Sequence, residues 1–194
     1  MRFLHTSDWQ LGMTRHFLAG EAQARFAADR LEALGALLEL AAAERCEAVV
    51  VAGDVFETNQ VERQTVLRAL DTLARSRVPV FLLPGNHDPL DAASVYRSRA
   101  FLENRPERVQ VLDSTEPRVL ASGAEIVGVP WSSLRPLQDL VAAALAGLEP
   151  AGLPRVVVAH GAVDRLAAMD RETPALIGLA GVEAAIEAGK LQYL

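Results

Sequence analysis

The chain has 194 residues, 51% of them apolar, which is typical of one globular domain and excludes a disordered protein. Its formal net charge of -6 argues against a domain that grips nucleic acid through overall positive potential, but says little about one local groove. A single cysteine, Cys46, excludes an internal disulfide, and the start MRFLHTSDW has no apolar stretch long enough for a signal peptide or membrane span. We therefore expect a cytoplasmic protein without membrane association.

The first half of the sequence alternates short apolar runs with segments of helical periodicity. Strands are predicted over residues 2–6, 47–54 and 78–88, and helices over 21–45 and 60–76. Successive strand-helix units form parallel sheets with right-handed crossovers. The polar ends of these strands should therefore lie along one edge of an α/β sheet.

The second half is less regularly spaced. Helices are predicted over 92–104, 136–147 and near 180–188, strands over 108–113, 124–131 and 155–161, and an incipient strand over 190–194. The sequence shows no internal repeat, low-complexity linker or domain boundary. We expect residues 1–194 to form one domain.

Four predicted strands end in residues that can bind a metal ion or move a proton. These are Asp8 with Gln10, Asp54, Asn86 with His87, and His160. Each has a plainer explanation by itself, because aspartate after a strand is a common helix N-cap and a lone histidine is more often a satisfied core or surface residue. All four lie at the end of the sheet where α/β proteins bind ligands, and this coincidence favours a functional site.

The ligand types indicate a chemistry. Carboxylate, amide and imidazole groups together suit Mn²⁺ or Mg²⁺, and a shared aspartate could bridge two such ions about 3.5 to 4 Å apart. That spacing suits phosphoryl chemistry. His87 could protonate the leaving group or bind the transition-state oxyanion. Asp88 could orient a catalytic neighbour or simply cap the turn, and the sequence leaves both roles open.

Four motifs together resemble one known family. The strings HTSDWQLG, VVVAGDVFETNQ, VFLLPGNHDP and VVVAHGAVD occur in order, each at a predicted strand end, as in calcineurin-like metallophosphoesterases. The fuller strings GDVFETNQ and LLPGNHDPLDAASVY are similar to those of the SbcD-type DNA repair nucleases. The resemblance implies a β-sandwich of two mixed sheets flanked by helices (α/β/β/α), a site for two Mn²⁺ ions, hydrolysis of DNA phosphodiester bonds, and an SMC-like ATPase partner of SbcC type.

The resemblance also implies roles for individual residues. Asp8 would bind the first metal, Asp54 both metals, Asn86 and His160 the second, and His87 would be the catalytic histidine.

The sequence departs from the family pattern at three places. Gln10 stands where the family usually has histidine, and an amide oxygen is a weaker ligand of Mn²⁺ than imidazole, so Gln10 is either a weakened ligand or a group that supports one. Glu57 stands where the wider family favours aspartate, a milder change. The family's last Gly-x-His motif is absent. We therefore expect that the domain's C-terminal part is missing, with no cap or partner-binding domain, and that an open sheet edge invites pairing with another chain, including a second copy.

Three hypotheses follow: an SbcD-type nuclease, a phosphoesterase acting on a small phosphoester or cyclic nucleotide, and an inert domain that serves as a binding or dimerisation module. Four arginines could contact a DNA backbone, although a solvated arginine face explains them as well. They are Arg97, Arg99, Arg105 and Arg108.

Overall fold

The computed structural model describes residues 1–164 and 176–194. Seven strands and five α-helices lie in these residues. In chain order they are β1 (Phe3–Thr6), α1 (Glu21–Ala43), β2 (Ala48–Val51), α2 (Arg63–Leu73), β3 (Val80–Leu82), α3 (Arg99–Asn104), β4 (Val109–Val111), β5 (Arg118–Val119), β6 (Glu125–Gly128), α4 (Leu140–Ala146), β7 (Arg155–Val158) and α5 (Leu179–Glu187).

The strands form two sheets. The first has the order β1-β2-β3-β4 and all its pairs are parallel, whereas in the second, β5-β6-β7, the β5–β6 pair is antiparallel and the β6–β7 pair is parallel. The expected α/β/β/α sandwich is confirmed. The expectation of two mixed sheets was wrong for the first sheet, where every strand connects to the next through a crossover.

Alternation along β2 shows how the layers pack. Val49 and Val51 face a core shared with α1, α2 and α3, while Ala48 and Val50 face a second core between the two sheets. A third core lies between the outer face of the second sheet and helices α4 and α5. All four residues of β2 are buried and all four are apolar. A continuous apolar sequence of this kind is typical of a parallel strand that is covered on both faces.

Several predicted boundaries change. The helix predicted over 92–104 is divided into a 3₁₀ turn (Val95–Arg97) and α3, because Ser98 is extended and its hydroxyl caps α3 by accepting from the Phe101 N–H. The helix predicted from residue 136 begins only at Leu140, after its N-cap Asp139. The short strand β5 was not predicted.

The C-terminal segment 190–194 pairs only locally with the second sheet. Tyr193 forms an isolated parallel bridge with Val156, and its carbonyl accepts a hydrogen bond of 2.9 Å from the Val157 N–H. No helix within the described residues has the length and apolarity that crossing a membrane requires.

Candidate metal centre

Strand ends of both sheets bring the predicted ligands together. Asp8 follows β1, Asp54 follows β2, Asn86 follows β3, and His160 follows β7 in the second sheet. Asp8, Asp54 and His160 each offer one ligand atom, and these three atoms lie within 4.8 Å of one another. Asn86 belongs to the same group, because its Oδ1 lies 2.8 Å from Nε2 of His160.

Two ligand loops have unusual backbone conformations. Asp8, Gln10 and Asp54 have positive φ values of 56°, 43° and 54°. Such conformations are disfavoured for residues with a side chain, and they persist where surrounding contacts enforce them. Here the N–H of Asp8 donates to the Gly53 carbonyl at 3.1 Å and that of Gln10 to the Asp54 carbonyl at 2.8 Å. The two loops therefore hold each other in the conformation that brings the carboxylates of Asp8 and Asp54 to the site.

Two glycines allow the close packing of this centre. A Cβ added to Gly53, whose φ is 93°, would collide with the His160 ring. A Cβ added to Gly85 would collide with the carboxylate and the backbone nitrogen of Asp54. The motifs GD and PGN thus need glycine because another ligand occupies the space that a side chain would fill.

Asp54 lies at the middle of the cluster and is only 2% exposed. Its Oδ1 accepts a hydrogen bond of 3.0 Å from the His87 N–H, and its Oδ2 lies 3.3 Å from Nε2 of His160. Burial by itself raises the pKa of Asp54, but the hydrogen bonds and positive charges of His160 and His87 outweigh it and leave this pKa below its usual value. The carboxylate is therefore held in its anionic, ligand-competent form.

His160 is fixed by groups from both sheets. Its Nδ1–H donates to the Ala52 carbonyl at 2.8 Å, and its own carbonyl accepts from Nε1 of Trp131 at 2.8 Å. Burial lowers the pKa of His160, but the hydrogen bond and charge of Asp54 raise it by more, so the net shift is upward. With Nδ1 committed as a donor, Nε2 is the nitrogen that faces Asp54 and Asn86.

His87 lies on the other flank of Asp54. Its Nδ1–H donates to the Glu57 carbonyl at 2.9 Å, and its Nε2 lies 3.9 Å from Oδ2 of Asp54. The ring is partly exposed, with 37% of its side chain accessible. Its free nitrogen therefore stands at the edge of the cluster, where a ligand from solvent can reach it.

Asp88 does not face the cluster. It is fully buried, and its carboxylate accepts hydrogen bonds from the N–H groups of Phe56 and Gly85 and from the Tyr96 hydroxyl, at 2.9, 2.8 and 2.6 Å. Burial raises the pKa of Asp88 more than these hydrogen bonds lower it. Of the two roles left open by the sequence, the contacts favour the capping one over direct catalysis, because both oxygens bind the loops that carry Asp54 and Asn86.

The four arginines considered for DNA lie away from this centre. Arg97 and Arg99 are exposed near the start of α3, and Arg99 pairs with Glu103 at 2.7 Å. Arg105 and Arg108 are exposed just before β4 begins, at the amino end of a parallel strand, whereas the ligands follow carboxyl ends. None of the four lines the cavity at the ligand cluster.

A cavity of about 650 Å³ opens beside the cluster and shows residues that the sequence reasoning missed. Its lining includes Asp8, Asn86 and His160 together with His5 and Trp131. His5 Nδ1 is hydrogen-bonded to the Tyr193 hydroxyl at 2.8 Å. The sequence offered a signal for His5, since it stands within HTSDWQLG, but none for Trp131, whose contact with His160 spans 29 positions.

The donor set fits a divalent cation. Nε2 of His160 faces two oxygen acceptors, the amide oxygen of Asn86 and the Asp54 carboxylate, and Asp8 adds a further carboxylate nearby. Several acceptors that face one another are stabilised by a cation among them, and mixed oxygen and imidazole ligands suit Mn²⁺, Mg²⁺ and related ions. Gln10 is half-buried in the adjoining loop.

Comparison with known families agrees with this geometry. The family model for calcineurin-like phosphoesterases matches residues 1–180. The chain belongs to this family. Members of this family are phosphoesterases that use divalent metals. The cluster of Asp8, Asp54 and His160 is a possible metal-binding group of this chain.

Curated relatives of this family member include nuclease subunits. The chain is 31% identical over 159 residues to the SbcD subunit of nuclease SbcCD from Escherichia coli, covering 77% of this chain and 37% of that protein, and 36% identical over 98 residues to the Bacillus subtilis subunit, covering 48% and 24%. It is 26% identical over 144 residues to the DNA double-strand break repair protein Mre11 of Sulfolobus acidocaldarius, covering 72% and 36%. The chain thus spans less than two fifths of each relative's length.

A solved structure shares the fold. A crystal structure of a Thermus thermophilus protein aligns with 97% of this chain and 77% of its own, with a TM-score of 0.56 and 13% sequence identity. At this identity the likeness shows the architecture alone.

Proposed function

We propose that this family member hydrolyses DNA phosphodiester bonds with two divalent cations, as an SbcD-type nuclease core. The observation that carries the proposal is the convergence of Asp8, Asp54, Asn86 and His160 beside the free nitrogen of His87. In this proposal Asp8 and Gln10 hold one cation, Asn86 and His160 hold the other, and Asp54 is shared. Mn²⁺ is the proposed ion, with Mg²⁺ as the alternative.

The chain's own groups have distinct tasks in this reaction. When bound, the two cations activate water and neutralise charge on the phosphate oxygens. Nε2 of His87 is the nitrogen that can meet the leaving oxygen, because its Nδ1–H donates to the Glu57 carbonyl, and a proton for that oxygen would come from the imidazolium form of the ring. Asp88 acts by holding the loops of Asp54 and Asn86 in place.

DNA as the substrate is supported by the relatives. Proteins named as the SbcD subunit of nuclease SbcCD match at 31% to 40% identity over parts of this chain. The name of this two-component nuclease also supports an SMC-like ATPase of SbcC type as the partner. A homodimer, a cytoplasmic location, and the extent and incompleteness of the domain over 1–194 stay predictions.

A small phosphoester or cyclic nucleotide is a second candidate substrate, and one observation favours it. The cavity beside the cluster has no lysine or arginine among its described lining residues. A polymer with one negative charge per nucleotide is normally bound by basic side chains. A small substrate would need only the cations and the polar groups of the cluster.

Metal stoichiometry tests the shared basis of both candidates. Calorimetric titration of Mn²⁺ into metal-free protein should show two sites, and Asp54→Ala should lose both, because Asp54 is the proposed shared ligand and its ligand atom lies within 4.8 Å of those of Asp8 and His160. Asp71→Ala, which removes an exposed acid on α2, should change neither site. One weak site or none in the wild-type protein would contradict the two-cation proposal and favour an inert binding module.

Substrate preference separates the two candidates. Labelled single- and double-stranded DNA and chromogenic phosphoesters are offered with Mn²⁺ to the wild-type protein and to Asp54→Ala and His87→Ala. A nuclease should prefer the polymer and lose cleavage in Asp54→Ala. Faster turnover of the small esters would favour the second candidate, and DNA cleavage that survives Asp54→Ala would reject the proposed site.

A further inference from the structure

The loop that carries Asp8 and Gln10, residues 8–15, is here called the Asp8 loop. Its first part is pinned to the loop after β2 by main-chain hydrogen bonds from Asp8, Gln10 and Leu11. Two of its non-glycine residues, Asp8 and Gln10, have positive φ, so its conformation depends on surrounding contacts. Its opposite side packs on α1.

One face of α1 packs against the Asp8 loop. Gln23, Phe26 and Arg30 are spaced three and four positions apart and therefore lie on the same side of the helix. The Gln23 side chain donates to the Met13 carbonyl at 3.1 Å and accepts from the Arg15 N–H at 2.9 Å. The end of the Asp8 loop is thus held by a single glutamine.

Arg30 holds the middle of the loop. Its Nη1 donates to the Trp9 carbonyl at 2.5 Å and its Nη2 to the Met13 sulfur at 3.3 Å. The guanidinium lies over the Phe26 ring, 4.8 Å from the ring centroid, and its buried Nε has no hydrogen-bond partner among the described residues. Because its Nε is buried, the Arg30 guanidinium is packed against protein and is not solvated as an exposed arginine would be. An unpaired buried donor costs free energy, which the other contacts of this group must offset.

Arg30 acts on the loop without an ion pair to Asp8. Both residues line a small cavity of about 240 Å³, and no ion pair between them occurs in the described part of the chain. The contact of Arg30 is instead with the carbonyl of Trp9, the residue between Asp8 and Gln10. The Trp9 carbonyl belongs to the planar peptide unit that joins Trp9 to Gln10, so a displacement of this carbonyl moves the Gln10 backbone directly and the Asp8 backbone through the Trp9 Cα.

We propose that Arg30 is a positioning residue that sets the orientation of Asp8 and Gln10 through the Trp9 carbonyl, and thereby the affinity of the cation on that side. The inference rests on the proposed function. Groups that orient metal ligands typically change metal affinity by about 10- to 100-fold when removed. The forked guanidinium suits the task because one group contacts two points of the loop, which lysine cannot reproduce.

Mn²⁺ calorimetry on variants tests the effect on the cation. Arg30→Gln should weaken one of the two sites by about 10- to 100-fold and change the other by less than about threefold, with Arg30→Lys between it and the wild-type protein. Arg25→Gln, which removes an exposed arginine from the same helix, should match the wild-type protein. Equal weakening of both sites would indicate a general structural effect and overturn the proposal, as would unchanged affinities in Arg30→Gln.

A second measurement needs no metal. The chain has two tryptophans, so protein labelled with 5-fluorotryptophan should give two ¹⁹F resonances, assigned with Trp9→Phe and Trp131→Phe. In metal-free Arg30→Gln the Trp9 resonance should shift while that of Trp131 stays, because only Trp9 contacts Arg30. An unmoved Trp9 resonance would overturn the inference whether or not the wild-type protein binds Mn²⁺. Failure of the wild-type protein to bind Mn²⁺ would contradict the proposed function instead.

Discussion

The two sheets contribute to the metal centre in different ways. The parallel sheet supplies Asp8, Asp54, Asn86 and His87 from the ends of three neighbouring strands, whereas the three-stranded sheet supplies His160 alone among the described residues. In the parallel sheet the register of β1, β2 and β3 places the loops side by side. His160 instead reaches the site across the interface between the sheets.

The consequence is a difference in what each ligand depends on. In the first group, main-chain hydrogen bonds join the loops of Asp8 and Asp54, and the carboxylates of Asp54 and Asp88 accept hydrogen bonds from the N–H groups of His87 and Gly85 in the loop of Asn86, so many contacts would have to fail before these ligands separated. His160 depends on a few contacts that involve side chains, with Ala52, Trp131, Asn86 and Asp54, and on the absence of a side chain at Gly53. Variants that affect one group and spare the other test this difference.

The largest effect is expected from Asp88→Ala in the parallel sheet. The change removes the acceptor for the N–H groups of Phe56 and Gly85 and for the Tyr96 hydroxyl. Buried donors left unpaired cost about 1 to 3 kcal/mol each, partly relieved by entering water, so the free energy of unfolding should fall by about 3 kcal/mol or more. Urea denaturation measures it. Asp71→Ala, an exposed aspartate, is the control, and a loss below about 1 kcal/mol would contradict the role given to Asp88.

Gly53→Ala should separate the two sheets' contributions. The added methyl group would collide with the His160 ring, so His160 should be displaced while the ligands of the parallel sheet remain. We expect Mn²⁺ affinity to fall by about 10- to 100-fold at the site that uses His160.

The control for this variant is Gly189→Ala. Gly189 also has a positive φ, of 70°, but a Cβ there would meet nothing within 4 Å. The Gly189→Ala variant should therefore introduce backbone strain without lowering Mn²⁺ affinity. Equal metal affinities in Gly53→Ala and the wild-type protein would show that His160 does not depend on the space at Gly53.

The same difference explains what the sequence could predict. Asp8, Asp54 and Asn86 follow apolar runs of parallel strands, and the geometry of a parallel sheet brings such strand ends to one edge without knowledge of any other contact. His160 also follows a strong strand, but its sheet and the partners that orient it depend on packing between distant segments. Trp131 and Arg30 carry no local signal of their roles, since their contacts span 29 and 21 positions.

A smaller effect, confined to the contact between α4 and the start of α5, is expected from Asp139→Ala in the second half. Asp139 caps α4, accepting from the N–H groups of Val141 and Ala142, and its other oxygen accepts from Gly178. Loss of an N-cap costs about 1 kcal/mol, so thermal unfolding should occur at a lower temperature with Mn²⁺ affinity unchanged. Asp139→Asn, which keeps a capping oxygen, should recover most of the loss. Weakened metal binding in Asp139→Ala would mean that α4 supports the site.

Trp131→Phe should have the smallest effect and bears most directly on the contact between the sheets. Phenylalanine keeps an aromatic ring but removes the indole N–H that donates to the His160 carbonyl. One neutral hydrogen bond contributes about 0.5 to 1.5 kcal/mol, and because it holds the backbone of His160 rather than its ring, only part of that should reach Mn²⁺ affinity, a reduction of about threefold. The same exchange at Trp9 removes a hydrogen bond to Thr6, three positions away, which joins no second segment. Calorimetry should therefore find Trp9→Phe closer to the wild-type protein than Trp131→Phe, and the reverse order would place the more sensitive ligand in the parallel sheet.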